Sequence, residues 1–271
     1  MDETPFATLG GIVAAMAAIA LLESAIPLRP RGPWSRAHLA PNLAFTALTF
    51  ATNLLFGAAL VSALAAVAAA ELGLLRALTL PALPTTALAL VALDFSFYAA
   101  HVAMHRVPAF WRFHRVHHSD PAVDVTTTLR QHPGEGVIRY AFLALFAIPL
   151  GVEPAAFALY RAAVAASGLL EHANVRVPAR LDAALSWVVT WPGLHKIHHA
   201  RDVRYTDTNY GNLFSVWDRA FGTFTPVREA GAVAYGLDGC DDGAAQTTAA
   251  LLAAPLREVS DAAATRPAPA P

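Results

Sequence analysis

Residues 94–118 read DFSFYAAHVAMHRVPAFWRFHRVHH, and residues 192–199 read PGLHKIHH. Their histidines fall into three groups. His101 and His105 form HxxxH, His114, His117 and His118 form HxxHH, and His195, His198 and His199 form a second HxxHH. Residues three and four apart share one face of a helix. His101 and His105 therefore project together, and each HxxHH gathers its outer pair and its middle histidine on one side. Asp94 and Tyr98 extend the first stripe, so that 94, 98, 101 and 105 lie on one helical face. Of the eleven histidines, ten lie between 101 and 199, with His132 and His172 standing alone between the second and third groups.

The rest of the chain is strongly apolar. Hydrophobic residues make up 56% and charged residues 14% of its 271 residues, with a mean hydropathy of +0.44. Soluble chains carry about 25% charged residues, so the apolar excess is better placed against lipid. About 20 apolar residues cross a bilayer as a helix. Residues 6–26 carry one charge, Glu23; residues 43–70 carry none; residues 84–100 are interrupted only by Asp94. Residues 137–170 hold two short apolar blocks around Gly151-Val152-Glu153-Pro154, which predicts a tight or re-entrant hairpin with Arg161 facing protein or snorkelling. The acidic start, Met1-Asp2-Glu3, lacks the positive charge of a secretory signal, so the first apolar run reads as a retained anchor.

Arginines set the expected orientation. Arg29, Arg31 and Arg36 follow the first span, and Arg106, Arg112, Arg115, Arg130 and Arg139 follow the third; the 71–83 loop has only Arg76. The N-terminus is expected outside, with the histidine groups and the C-terminus cytoplasmic. The fold class is then an all-α integral membrane protein with about four transmembrane helices, including the hairpin. A cytoplasmic helical cap would hold a di-metal site. Residues 1–242 would form this domain, with a histidine core at about 94–225, and the Ala- and Pro-rich stretch 243–271 would be a disordered tail. A net charge of −1 gives no basic field for nucleic acid. The single cysteine, Cys240, excludes an internal disulfide and reads as an inert thiol.

Neutral imidazole suits iron, zinc, copper and nickel. The eight grouped histidines plus His172, which the hairpin returns to the same end, make nine candidate ligands. Nine exceeds one ion's need and suits two ions with four or five ligands each. Burying so many imidazoles without metal would leave unpaired polar groups at ~1–3 kcal/mol each. The HExxH of zinc proteases is absent, because Val102 follows His101. Asp94 is expected to accept an N–H from a ligand ring, as carboxylates near metal-bound histidines do, and Tyr98 is grouped with it as a candidate catalytic residue. His38 reads as interfacial, and His132 as a loop anchor or a neighbour of the ligands.

At these residues the sequence resembles the fatty acid hydroxylase / sterol desaturase superfamily. Phe110 to Ser119 resembles its second histidine box, and Arg130 to Glu135 its R-x-H-P-x-E stretch. Asn209-Tyr210-Gly211-Asn212-Leu213 and Trp217 to Thr223 resemble its C-terminal signature. The likeness implies a four-helix membrane base, two non-haem irons on the histidine boxes, and O2-dependent hydroxylation or desaturation of a lipid: a sterol, fatty acyl chain, carotenoid or ether lipid. Two electrons must then arrive from outside. The chain has no GxGxxG, CxxC cluster or haem motif, so a separate reductase, ferredoxin or cytochrome is the expected partner. The competing readings are a membrane metal-binding or transport protein without catalysis, and a zinc hydrolase.

Overall fold

A computed structural model describes residues 4–30, 32–227 and 233–257. The described residues are helical throughout, with two isolated β-bridges and no strand. The long helices come first: α1 (Thr4–Ala25), the short α2 (Trp34–Ala37), α3 (Leu39–Ala69), the short α4 (Leu74–Ala77), α5 (Ala82–Arg106), α6 (Pro108–His118), α7 (Pro133–Leu150) and α8 (Pro154–His172). Short helices follow: α9 (Ala179–Leu185), α10 (Pro192–His198), α11 (Val203–Thr206), α12 (Val216–Ala220) and α13 (Thr248–Ala253). Four segments are long and apolar enough to cross a membrane: Ala7–Ala25, Trp34–Ala77, Ala82–Arg106 and Pro133–Leu150.

The direction of each helix follows from its contacts. The bends after α3 and α7 meet at one end of the bundle, where the backbones of Gly73 and Gly151 touch. A Cβ on Gly151 would lie 2.6 Å from the Leu72 carbonyl oxygen, and its φ of 67° is left-handed. Gly151 closes α7 through its amide to Ile148 and the next amide, Val152, to Ala147, the paired bonds of a glycine-terminated helix. The predicted hairpin is therefore this turn, and it returns α8 to the opposite end. There α5, α7 and α8 place His105, Glu135 and His172, and α1 ends with buried Glu23 accepting the amides of Val125 and Asn174, each at 2.9 Å. Between the two ends, Leu64, Leu93, Leu143, Ala147, Phe157 and Tyr160 form the dry core of the bundle. Leu55, Leu83, Leu145 and Leu159 point outward, as a helix bathed in lipid permits.

Two expectations change. His38 is not interfacial: it is fully buried, and its ring faces Asp120 at 3.0 Å and Asp124 at 3.3 Å. The packed chain also runs past the expected boundary at 242. Residues 243–257 include α13, whose Leu251 packs with Phe45 and Val116; the remainder of the proposed tail, 258–271, lies outside the described residues. The physical reason is Arg130. Its guanidinium is wholly buried and donates to the Val116 carbonyl (2.9 Å), Asn42 Oδ1 (3.0 Å), Ser119 Oγ (2.8 Å) and Gln246 Oε1 (2.7 Å). A buried guanidinium must have its donors met, and Gln246 also donates to the Ser119 and Cys240 carbonyls. Composition alone gave this stretch no reason to fold; one buried cation does. Gln246→Ala should therefore lower stability by about 1–3 kcal/mol, read as a drop in melting temperature; an unchanged melt would mean that α13 is not held by this bond.

Candidate metal centre

Nine histidine side chains meet where α5, α6, α8 and α10 converge, and all are buried. Pro108 starts α6 directly after α5, so the chain turns back with HxxxH and the first HxxHH facing each other. Their ring nitrogens sort into two groups: His101, His105, His114, His118 and His198, and His117, His172, His195 and His199. Within each group, one ligand atom per residue lies within 4.8 Å of every other. The split crosses the motifs. The outer pair of each HxxHH stays with its own group, while the middle histidine, His117 or His198, reaches across to the other.

The spacing fits metal ligation. In the second group, His195 and His172 Nε2 are 2.9 Å apart, His172 and His117 3.1 Å, His199 and His195 3.1 Å, and His199 and His172 3.3 Å. In the first, His101 and His114 Nε2 are 3.1 Å apart and His118 and His114 3.2 Å. Metal–imidazole bonds of about 2.0–2.1 Å hold neighbouring ligand nitrogens roughly 3 Å apart. His198 Nε2 is buried with no hydrogen-bond partner among the described residues.

In part of the set, the second ring nitrogen explains why Nε2 carries the lone pair. His101 Nδ1 faces the Tyr210 carbonyl at 2.8 Å, His172 Nδ1 the Gly168 carbonyl at 2.7 Å, and His198 Nδ1 the Thr208 carbonyl at 2.9 Å. His105 Nδ1 faces Asp207 Oδ1, and His114 Nδ1 faces Glu135 Oε2, both at 3.2 Å. The three carbonyls and Asp207 fix the proton on Nδ1 and leave Nε2 as the ligating nitrogen, while Glu135 only approaches His114 without an aligned hydrogen bond. Convergent lone pairs repel unless a cation lies among them, so the donor set suits two metal ions. Burial, then the neighbouring histidines, push His117, His118, His195 and His199 well below the ordinary imidazole range; burial and His101 do the same to His198. The neutral form is the ligating form.

Asp94 and Tyr98 do not join this cluster. Asp94 accepts the Leu213 amide (3.1 Å), the Phe214 amide (3.3 Å) and the Trp217 indole N–H (2.8 Å). With these three donors on its two oxygens, it reaches no histidine. The Tyr98 hydroxyl is 2.9 Å from Thr223 Oγ1, and its ring lies edge-on to Tyr210. Both residues tie a strap, residues 209–223, onto α5. Asp218 completes the tie by accepting the Tyr210 and Gly211 amides at 2.7 and 2.9 Å and the Thr223 hydroxyl at 2.7 Å. Burial pushes its carboxyl up to about 6 against these bonds. Gly211 is needed because a Cβ there would lie 2.5 Å from the Phe214 carbonyl oxygen. The strap is what carries the Tyr210 carbonyl to His101.

His132 lies outside both histidine groups. It caps α7 by accepting the Gly134 amide at 3.0 Å, and its Nε2 faces the Leu252 carbonyl at 3.2 Å. Sequence reasoning missed Glu135 and Asp207 as ring partners, and Lys196. The Lys196 ammonium, inside the third box, is fully buried and donates to the carbonyls of Val123 (2.7 Å) and His172. Glu135 stood in a quoted motif and could have been found; Asp207 lies in no motif. Behind the histidines, a cavity of about 770 Å³ runs between α1, α3, α7 and α8. It is lined by Ile12, Leu54, Phe97, Met104 and Phe157, and it reaches His101, His114, His117 and His195.

Buried imidazoles converging beside an apolar cavity define a membrane protein with a site that could hold metal. Residues 86–223, just over half the chain, match the family model for fatty acid hydroxylases, and the chain belongs to that family. It is 32% identical over 153 residues to an alkylglycerol monooxygenase of Xenopus tropicalis, covering 55% of this chain and 32% of that protein. It is 34% identical over 137 residues to the ornithine lipid hydroxylase OlsE of Rhizobium tropici, covering 51% and 40%. Fatty acid hydroxylase vlmA of a Lecanicillium species is 28% identical over 145 residues, covering 49% and 40%. The matched region thus spans about a third to two fifths of these relatives. No solved structure matches the chain.

Two outcomes follow from this geometry. Asp94→Asn replaces one acceptor oxygen by a donor facing N–H groups, so it should loosen the strap by on the order of 2 kcal/mol. Protease cleavage within 209–223 should rise; a strap as resistant as wild type would remove Asp94 from this role. The second concerns pH. Unfolded histidine titrates near ~6.5, and the folded ones lower, so below that pH the unfolded state takes up protons that the folded state refuses. Metal-stripped protein should lose thermal stability as pH falls from about 7 to 5, and a flat profile would contradict the buried neutral state.

Proposed function

We propose that this chain hydroxylates a lipid with O2 at a non-haem di-iron centre held by the nine histidines. The observation that carries the reading is the five-and-four division of buried ring nitrogens, several of which line an apolar cavity. Two irons bound there would activate O2 and supply the oxidising power that an unactivated C–H bond demands.

The chain's own residues do the rest. The Nδ1 acceptors Tyr210, Thr208, Gly168, Glu135 and Asp207 hold the rings in register. Phe97, Met104 and Phe157 keep the cavity apolar beside His101 and His117, so an alkyl chain displaces water from the reacting end. The names of the relatives, a monooxygenase and two hydroxylases of lipids, favour hydroxylation over desaturation. Electrons are assigned to a separate reductase, ferredoxin or cytochrome. The site and C-terminus are assigned to the cytoplasmic side because Arg29, Arg36, Arg106, Arg112 and Arg115 flank the histidine end.

Purified, iron-replete protein should contain about two metal ions per chain and consume O2 with a reductant and a lipid, giving a product one oxygen heavier. His117→Ala and His118→Ala each remove a ring from a different group, so each should lower metal content and abolish turnover. One metal or none in folded wild-type protein would defeat the di-metal assignment. Two metals with lipid turnover that ignores O2 would point to a hydrolase, and two metals with no turnover to a carrier.

A further inference from the structure

The cavity is not uniformly apolar. Two arginines line it on the bundle side of the histidines, Arg139 on α7 and Arg161 on α8. Arg139 is 7% exposed, and among the described residues neither guanidinium makes a hydrogen bond or ion pair. Each lies instead over a ring, Arg139 5.9 Å from the centre of Phe97 and Arg161 5.4 Å from that of Tyr140. An arginine at membrane depth is costly without a partner, and one that faces a cavity has room for a partner that is not protein.

The acids of the cavity do not fill that role. Glu135 stands one turn before Arg139 and its charge reaches that guanidinium without forming an ion pair, while its Oε2 lies 3.2 Å from His114; Glu171 lies 3.9 Å from His172 Nδ1. The cavity lining thus carries Glu135 and Glu171 beside the histidines and two guanidiniums that, among the described residues, no carboxylate pairs with directly. Phe97 links the two ends: its ring centre is 5.8 Å from that of His101. Together with the 5.9 Å step from Arg139, this caps the distance from that guanidinium to the His101 ring at roughly 12 Å.

We propose that Arg139 and Arg161 form an oxyanion site for the head of the substrate, so that this enzyme takes an acidic amphiphile, a lipid with a carboxylate or phosphate. The inference rests on the reading of the cavity as the lipid site. A guanidinium meets either oxyanion with paired N–H donors. A head seated on the arginines leaves the carbons close to it beside the histidines, because Phe97 alone separates the Arg139 guanidinium from the His101 ring. The attacked carbon is near the head group, not at the far end of the chain. The arginines touch the head and not the reacting carbon, so they set binding and specificity.

The test uses the full chain, metal-loaded, in nanodiscs of zwitterionic phosphatidylcholine. A fluorescent polyene fatty acid reports binding, displaced by a saturated fatty acid, its methyl ester, the matching alcohol or the matching alkyl phosphate. The acid and the phosphate should displace the probe far better than the ester and the alcohol; whichever binds more tightly identifies the natural head. Arg139→Gln and Arg161→Gln should each weaken the anions by about 10-fold or more, leave the ester unchanged, and raise KM more than they lower kcat. Arg139→Lys should restore part of the loss. If Arg139→Gln fails to fold, the half-exposed Arg161 carries the comparison. Equal binding of acid and ester by wild type, or equal loss of both in the variants, overturns the proposal. Hydroxylation of a neutral lipid untouched by either variant defeats the anion site alone. Arginine-dependent anion binding without O2-dependent product defeats the hydroxylase reading alone.

Discussion

Nine imidazole nitrogens pointing at two small volumes is the constraint on which the rest of the structure depends. Neutral rings at 2.9–3.3 Å turn lone pairs on one another, an arrangement that a cation stabilises and water would disperse. It persists where rings are held from behind, as several are, and where packing keeps the site dry. The backbone carbonyls of Gly168, Thr208 and Tyr210 and the carboxylates of Glu135 and Asp207 supply the hold. These five acceptors come from two membrane helices and one cap segment. The helix ends and the cap must therefore close on one point, and a fold that lost any one of them would leave rings unoriented.

Closure at that point is secured by buried charge. The wholly buried Arg130 joins α3, α6 and the segment before α13. Beside it, burial would raise the Asp120 carboxyl, but the His38 hydrogen bond and the Arg130 charge hold it well below the carboxylate range. Asp94 and Asp218 pin the strap, and Lys196 ties the third box to carbonyls on both sides. Each network is satisfied mainly by groups distant in sequence, which makes it stiff and specific to one arrangement. Stiffness matters because a ring displaced by an ångström no longer meets its partners, and the cavity would then open onto a misaligned site. On the other side of the same wall, lipid replaces water as solvent, and the bundle is held by a shared apolar cluster that includes Leu64, Leu93 and Phe157.

The sequence by itself determined the membrane helices, because twenty apolar residues in a row leave no other solvent, and it determined the three histidine groups, because three- and four-residue spacings make a helical face. It also marked His172 through the hairpin that returns it, and the family through motifs whose purpose is local: Gly211 for a close backbone approach, Asp218 for the amides beside it. Where interactions join distant segments, it was silent or misleading. Asp94 shares a helical stripe with His101, yet its oxygens go to amides and an indole more than a hundred residues away. His38 looked interfacial among arginines until Asp120 and Asp124 closed over it, and 243–257 looked like tail until Arg130 required Gln246. The division of each HxxHH between two metal groups was equally out of reach. Helical periodicity fixes which side of a helix a ring leaves from; only the packing of α6 against α10 decides which neighbours it meets, because that choice is made by distances between segments that the chain order does not contain.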